Sequence, residues 1–267
     1  MLIALAWQSV FCLGFIDRWP RWDEAFCLAA AVWLTYVADR LLDARRLDIT
    51  RPHSLRHRFH HDWAVMLTLA WMLVALLGSI VAVSSLPQSM LRTGMLVGAS
   101  VLIYLAGVHF VMPPSLPKPV LVGCLFALGV SVVVWSIHVT ASLVVGTSLA
   151  ATIFSINCHL VAMGESHLDE AQMFPVATEV GWKTTGPCFG LCGVTLASAM
   201  MGYLPWIVAL SIMASAICLA VANLWHYEPN TNENASWSPP SRRAIWVDFT
   251  TGLMPAIAGG CTLIEIG

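Results

Sequence analysis

The sequence predicts an all-α, polytopic membrane protein, a single domain of about nine transmembrane helices over 1–267. Three observations predict it. Of 267 residues, 58% are hydrophobic and only 10% charged, against about 25% charged in soluble domains. Mean hydropathy is +0.76. The apolar residues come in runs near the ~20 that a helix needs to cross a bilayer, not in the alternating pattern of barrel strands.

Nine apolar segments follow one another, at about 2–17, 23–43, 63–86, 90–112, 119–138, 140–163, 186–203, 205–226 and 244–264. The first lacks a basic leader and an Ala-x-Ala cleavage site, so it reads as a retained helix. It is short enough to tilt, lie partly in the interface or extend past Asp17. Trp19-Pro20, Leu86-Pro87, Pro113-Pro114, Pro117 and Leu204-Pro205 punctuate the runs. The boundary between segments five and six, around His138 to Ala141, is the weakest. No linker divides the chain. Trp7, Trp19, Trp22, Trp63, Trp182, Trp206 and Trp246 stand near segment ends, where tryptophan anchors helices at the interface. Gly98, Gly107, Gly123 and Gly129 are expected to allow close helix packing. The eight cysteines lie mostly in apolar runs and read as small packing residues, Cys188 and Cys192 included.

Lysine and arginine set the orientation. Loops after segments two, four, six and eight, with their adjoining ends, hold Arg40, Arg45, Arg46, Arg51, Arg56, Arg58, Lys118, Lys183, Arg242 and Arg243. The other side holds Arg18, Arg21 and Arg92. The even loops are therefore expected to face the cytoplasm, in an inner or cytoplasmic membrane. Those loops include the three longest polar stretches, 44–62, 164–185 and 227–243, so that face is where the protein is expected to work. A formal net charge of -2 argues against nucleic acid.

Two constellations of acids fall on this face. Asp39 and Asp43 close segment two, four residues apart and thus on one helical face. Ionisable residues at the end of a membrane helix are costly and usually serve a function. Glu165 and Asp169 repeat the spacing at the end of segment six. Four carboxylates around one site repel unless cations lie between them. Magnesium suits such a site because it takes oxygen ligands and bridges carboxylates to phosphates. Lys118 and other basic residues of this face can grip a diphosphate. The bland alternative is that the acids pair with neighbouring arginines at helix ends.

These motifs resemble the UbiA superfamily of membrane prenyltransferases. Thr35-Tyr36-Val37-Ala38-Asp39-Arg40-Leu41-Leu42-Asp43-Ala44 is similar to that family's first acidic motif, with Asp39 and Asp43 on its last two acids. Thr50-Arg51-Pro52 resembles the stretch that follows, Glu165-x-x-x-Asp169 the second motif, and Gly181 the glycine after it. Lys118 is similar in place to a basic residue before helix five. Thr35 and Tyr36 stand where the family carries Asn and Asp. The resemblance implies a nine-helix bundle around a central cavity open to the cytoplasm. It implies Mg2+ held by the catalytic acids Asp39, Asp43, Glu165 and Asp169. Lys118, Arg51, Arg45 and Arg46 would bind the diphosphate and Tyr36 would line the cavity; Asn157 and His159 could line it or hydrogen-bond a neighbouring helix. The implied reaction moves an isoprenyl group from an isoprenyl diphosphate to an unidentified acceptor, aromatic or lipid.

Two other readings stand beside it. The same fold without chemistry, serving as a binding or assembly subunit with a protein partner, is motivated by Thr35 and Tyr36. A di-iron oxidoreductase is motivated by His53-x-x-x-His57 and His57-x-x-His60-His61, since imidazole ligates iron. The remaining histidines (109, 138, 159, 167 and 226) form no second box, and the interleaved arginines better suit anionic membrane lipid head groups or a diphosphate clamp. Asp248 could pair with an arginine or face the cavity. No internal repeat suggests a transporter.

Overall fold

A computed structural model of the chain describes residues 1–48, 50, 53–111, 118–171, 185–225 and 237–238. Among the described residues there are nine helices: α1 (Leu2–Ile16), α2 (Trp22–Ala44), α3 (Leu55–Asp62), α4 (Ala64–Ser85), α5 (Gln88–Ala106), α6 (Lys118–Ile137), α7 (Ala141–Ala171), α8 (Thr185–Met200) and α9 (Trp206–Trp225). All but α3 coincide with the first eight apolar segments. The ninth segment, 244–264, with Trp246 and Asp248, lies outside the described residues. Beyond the helices, His53–Ser54 pairs in parallel with Trp237–Ser238.

Among the described residues six helices are long and apolar enough to cross a membrane: α2, α4, α5 continued to Phe110, α6, α7 as far as Met163, and α9 as far as Asn223. The weak boundary is real, since α6 ends at Ile137 and α7 begins at Ala141. Short connections make successive spans antiparallel. Arg21 Nη2 donates to Ser85 O at 3.3 Å, and Ser142 Oγ to Tyr203 O at 2.6 Å, which ties the turns of one end together.

The core forms around α1, a shorter apolar helix. Ala4, Trp7, Val10 and Phe11 of α1 are fully buried and join a cluster contributed mainly by α1, α6, α7, α8 and α9. A helix apolar on every side buries itself most fully at the centre of a bundle. Hence Trp7, expected as an interface anchor, is instead a core residue, its ring edge-on to Phe154 at 5.2 Å. Trp19, Trp22, Trp63 and Trp206 are exposed at helix ends, as anchors should be; Trp182 lies outside the described residues.

Of the four glycines, Gly123 fits the packing expectation most closely. A Cβ there would stand 2.3 Å from Ser155 Oγ and 2.6 Å from Ser155 N, so α6 and α7 touch backbone to backbone. Gly98 lies on the open face of α5, where a Cβ meets nothing within 4 Å, and Gly129 makes only ordinary contact with Leu28. At the opposite extreme from α1, α4 buries no residue. It leans on α2, where Trp71 Nε1 donates to Leu34 O at 2.9 Å.

Candidate functional site at the end of α2

Helix α2 carries acids at both ends. At its start, Arg21 caps the helix and its main-chain N–H donates to Glu24 Oε2 at 2.8 Å. Arg18 meets Glu24 in a two-pronged pair at 2.7 and 2.8 Å. Arg21 meets Asp23 likewise, at 3.0 and 2.5 Å. Negative charge suits a helix N-terminus, and both carboxylates are buried. The hydrogen bond to Glu24 holds the Arg18 guanidinium even more firmly protonated than usual.

At the other end, Asp39 and Asp43 stand one turn apart with side chains only 13% and 16% exposed. A helix C-terminus disfavours negative charge, so these carboxylates need cations from elsewhere. Arg40 supplies one, its Nη2 3.5 Å from Asp39 Oδ2 and its Nη1 donating to Asp43 Oδ2 at 3.3 Å. On the opposite side of the pair, His109 Nε2 hydrogen-bonds Asp39 Oδ1 at 3.1 Å, and its Nδ1 lies 3.9 Å from Asp43 Oδ1. Lys118 Nζ, at the first residue of α6, is 3.6 Å from Asp39 Oδ1. Both oxygens of Asp39 and Oδ2 of Asp43 therefore face a donor or cation, and Oδ1 of Asp43 faces an imidazole nitrogen at 3.9 Å.

His109 reaches the site through an irregularity. After Ala106 the helix widens into a π-helical turn, Gly107–Val111, a feature often found at functional sites. Arg46, just past the end of α2, donates from Nη2 to the carbonyl of His109. Arg40 also lies 5.6 Å over the Tyr36 ring.

The second acidic pair is placed by α7. Only three residues join α6 to α7, so α7 returns to the end where Lys118 begins α6 and where Asp39 lies. At 31 residues, α7 is about 46 Å long, well beyond a hydrocarbon core of ~30 Å. Its last turns carry Glu165 and Asp169, one turn apart, past the apolar stretch that ends at Met163. Their side chains lie outside the described residues.

The other expected site residues scatter. Arg45 is exposed at the C-cap of α2, and Arg46 is engaged with His109. Tyr36 is 43% exposed. Asn157 and His159 are half-buried on α7. Arg51, Pro52, Gly181 and Lys183 lie outside the described residues. The histidine box divides: His60 is buried edge-on to Tyr36 at 5.9 Å, whereas His61 lies 3.2 Å from Asp62. The side chains of His53 and His57 lie outside the described residues.

Among the described residues no group of three or more His, Cys, Asp and Glu stands ready to hold a metal ion. The donors themselves suit magnesium, since Asp39 and Asp43 offer hard carboxylate oxygens at a helix end. Sequence reasoning missed His109, a single histidine in an apolar run whose partner is 70 residues away. It also missed that Arg18 and Arg21 close onto Glu24 and Asp23. The alternation Arg18, Arg21, Asp23, Glu24 across a turn was the available signal. Compared with known proteins, the chain matches no family model, no curated protein and no solved structure.

Proposed function

We propose that the protein is a membrane prenyltransferase of the UbiA type. It would transfer an isoprenyl group from an isoprenyl diphosphate to an acceptor. One observation carries this reading. The acids Asp39 and Asp43 stand one turn apart, with Asp39 against the ammonium of Lys118, at the bundle end where the last turns of α7 carry Glu165 and Asp169. Carboxylates placed against the helix dipole, with a half-exposed lysine beside them, suit a polyanion that arrives with its own counter-cation.

In this reading Asp39, Asp43, Glu165 and Asp169 would hold magnesium, which supplies positive charge to a leaving diphosphate. Lys118, with 42% of its side chain exposed, turns its flexible ammonium from Asp39 to a diphosphate oxygen. Arg45 is exposed at the C-cap of α2, and Arg51 follows it six residues later in the sequence. The apolar helices shelter the tail and exclude water. The allylic C–O bond breaks, diphosphate leaves, and the acceptor attacks the resulting cation and loses a proton. Quinone precursors, tetrapyrroles and glycerol-phosphate lipids are the acceptor classes that the resemblance suggests. The lysine and arginine bias supports a cytoplasmic position for this end.

The test is magnesium-dependent diphosphate release by the protein in nanodiscs, with isoprenyl diphosphates of several lengths and a panel of acceptors. Asp39→Asn and Asp169→Asn should abolish release while leaving folded protein; unchanged turnover in both refutes the reading. A second reading, a bundle of this kind acting as an assembly subunit without chemistry, is favoured by one observation. Asp39 and Asp43 are already faced by Arg40, His109 and Lys118. It predicts neither release nor diphosphate binding, and a stable protein partner on purification.

A further inference from the structure

We infer that His109 is a positioning residue: it holds Asp39 in the orientation that leaves the acidic pair able to take a divalent cation together with a diphosphate. The inference rests on the reading above and deepens it. Three kinds of nitrogen face the acidic pair, and they differ in how firmly they are held. Arg40 belongs to α2 itself, so its contacts with the two acids stay within one helix. Lys118 is half-exposed on a long stem, free to follow a substrate. His109 is 4% exposed and comes from a different helix.

Its backbone is also fixed. The π-helical turn Gly107–Val111 changes the angular step of the chain and brings residue 109 against α2. Arg46 holds the carbonyl of the same residue. His109 is therefore held through its main chain by Arg46, just past α2, and through its ring by Asp39 of α2. Nε2 engages Oδ1 of Asp39 at 3.1 Å, while Nδ1 stands 3.9 Å from Asp43. A fixed donor on one carboxylate oxygen orients the other oxygen for a metal, and loss of such outer partners commonly weakens metal affinity about 10- to 100-fold.

The experiment measures the magnesium concentration giving half-maximal binding of geranyl, farnesyl and geranylgeranyl diphosphates to the whole protein in nanodiscs. Melting temperature is recorded alongside. His109→Ala should raise that concentration about 10- to 100-fold. His109→Gln, whose amide nitrogen reaches where Nε2 stands, should keep it within about threefold. An unchanged curve for His109→Ala overturns the inference, and so does an equal shift in both variants that tracks a lowered melting temperature. If His109→Ala fails to fold, His109→Asn replaces it, because its amide stops one bond short. The inference then predicts a shift for Asn and none for Gln, and equal curves overturn it. Asp39→Asn separates the two levels of inference. Binding that vanishes there yet keeps an unshifted magnesium dependence in His109→Ala defeats only the role of His109. Binding that persists in Asp39→Asn, or is absent from the wild type, defeats the prenyl-diphosphate reading itself.

Discussion

The two ends of α2 carry the same chemistry in opposite states. At the start, two acids meet two arginines in paired, short hydrogen bonds of 2.5–3.0 Å, and the helix's own N–H groups add to them. At the end, two acids meet Arg40, His109 and Lys118 through single contacts of 3.1–3.9 Å. The first pair lies with the helix dipole and the second against it. Saturated, well-aligned pairing marks a structural lock. Long, shared contacts at an unfavourable helix end mark a place where an incoming ion and substrate can improve on what the protein supplies.

This difference can be broken or sharpened by mutation. The largest effect belongs to the lock. Arg18→Met takes from the buried Glu24 its two-pronged partner and should cost about 1–3 kcal/mol, since Arg18 is partly exposed and the Arg21 N–H remains. Unfolding in detergent should show this, with Arg18→Met combined with Glu24→Gln recovering most of the loss. At the other end, Asp43→Asn removes one of two adjacent like charges from a helix C-terminus. Its stability should stay within about 1 kcal/mol of wild type, or rise, while magnesium-dependent diphosphate binding falls. A loss of stability as large as that of Arg18→Met would erase the distinction between the ends. A smaller effect is expected for Lys118→Met. Diphosphate affinity should fall about 10-fold, the loss of one charge-assisted contact, with little change in melting temperature. The smallest effect is that of salt. Raising ionic strength to about 0.5 M should weaken diphosphate binding beside the half-exposed Lys118, yet move the melting temperature little, because the Asp23 and Glu24 carboxylates are buried although their arginines are partly exposed.

The helices were legible because each is an apolar run of bilayer length, and even the gap at 138–140 showed in the sequence. The burial of α1 was not legible. Its uniform apolarity fits either lipid or a protein core, and only the packing of α6 to α9 around Trp7 and Phe11 decides between them. Asp39 and Asp43 stood out because charge is rare in such a chain. The continuation of α7 to Ala171 was hidden, since Gly164 and the following charges end the hydropathy signal without ending the helix. His109 was hidden because nothing local distinguishes a site histidine from a packed one; its meaning comes from a π-helical turn and a partner on another helix. The tie between Arg18 and Glu24 was hidden because an arginine in a loop reads first as a topological marker.

The most direct measurement is magnesium-dependent binding of isoprenyl diphosphates of several lengths to the wild-type protein and to Asp39→Asn, both in nanodiscs and both shown to be folded. The account predicts saturable binding that requires magnesium in the wild type and falls at least about 100-fold in the variant, the loss of a carboxylate metal ligand. Equal binding by the two proteins, or none by either, would contradict it and leave the end of α2 as a second, looser lock.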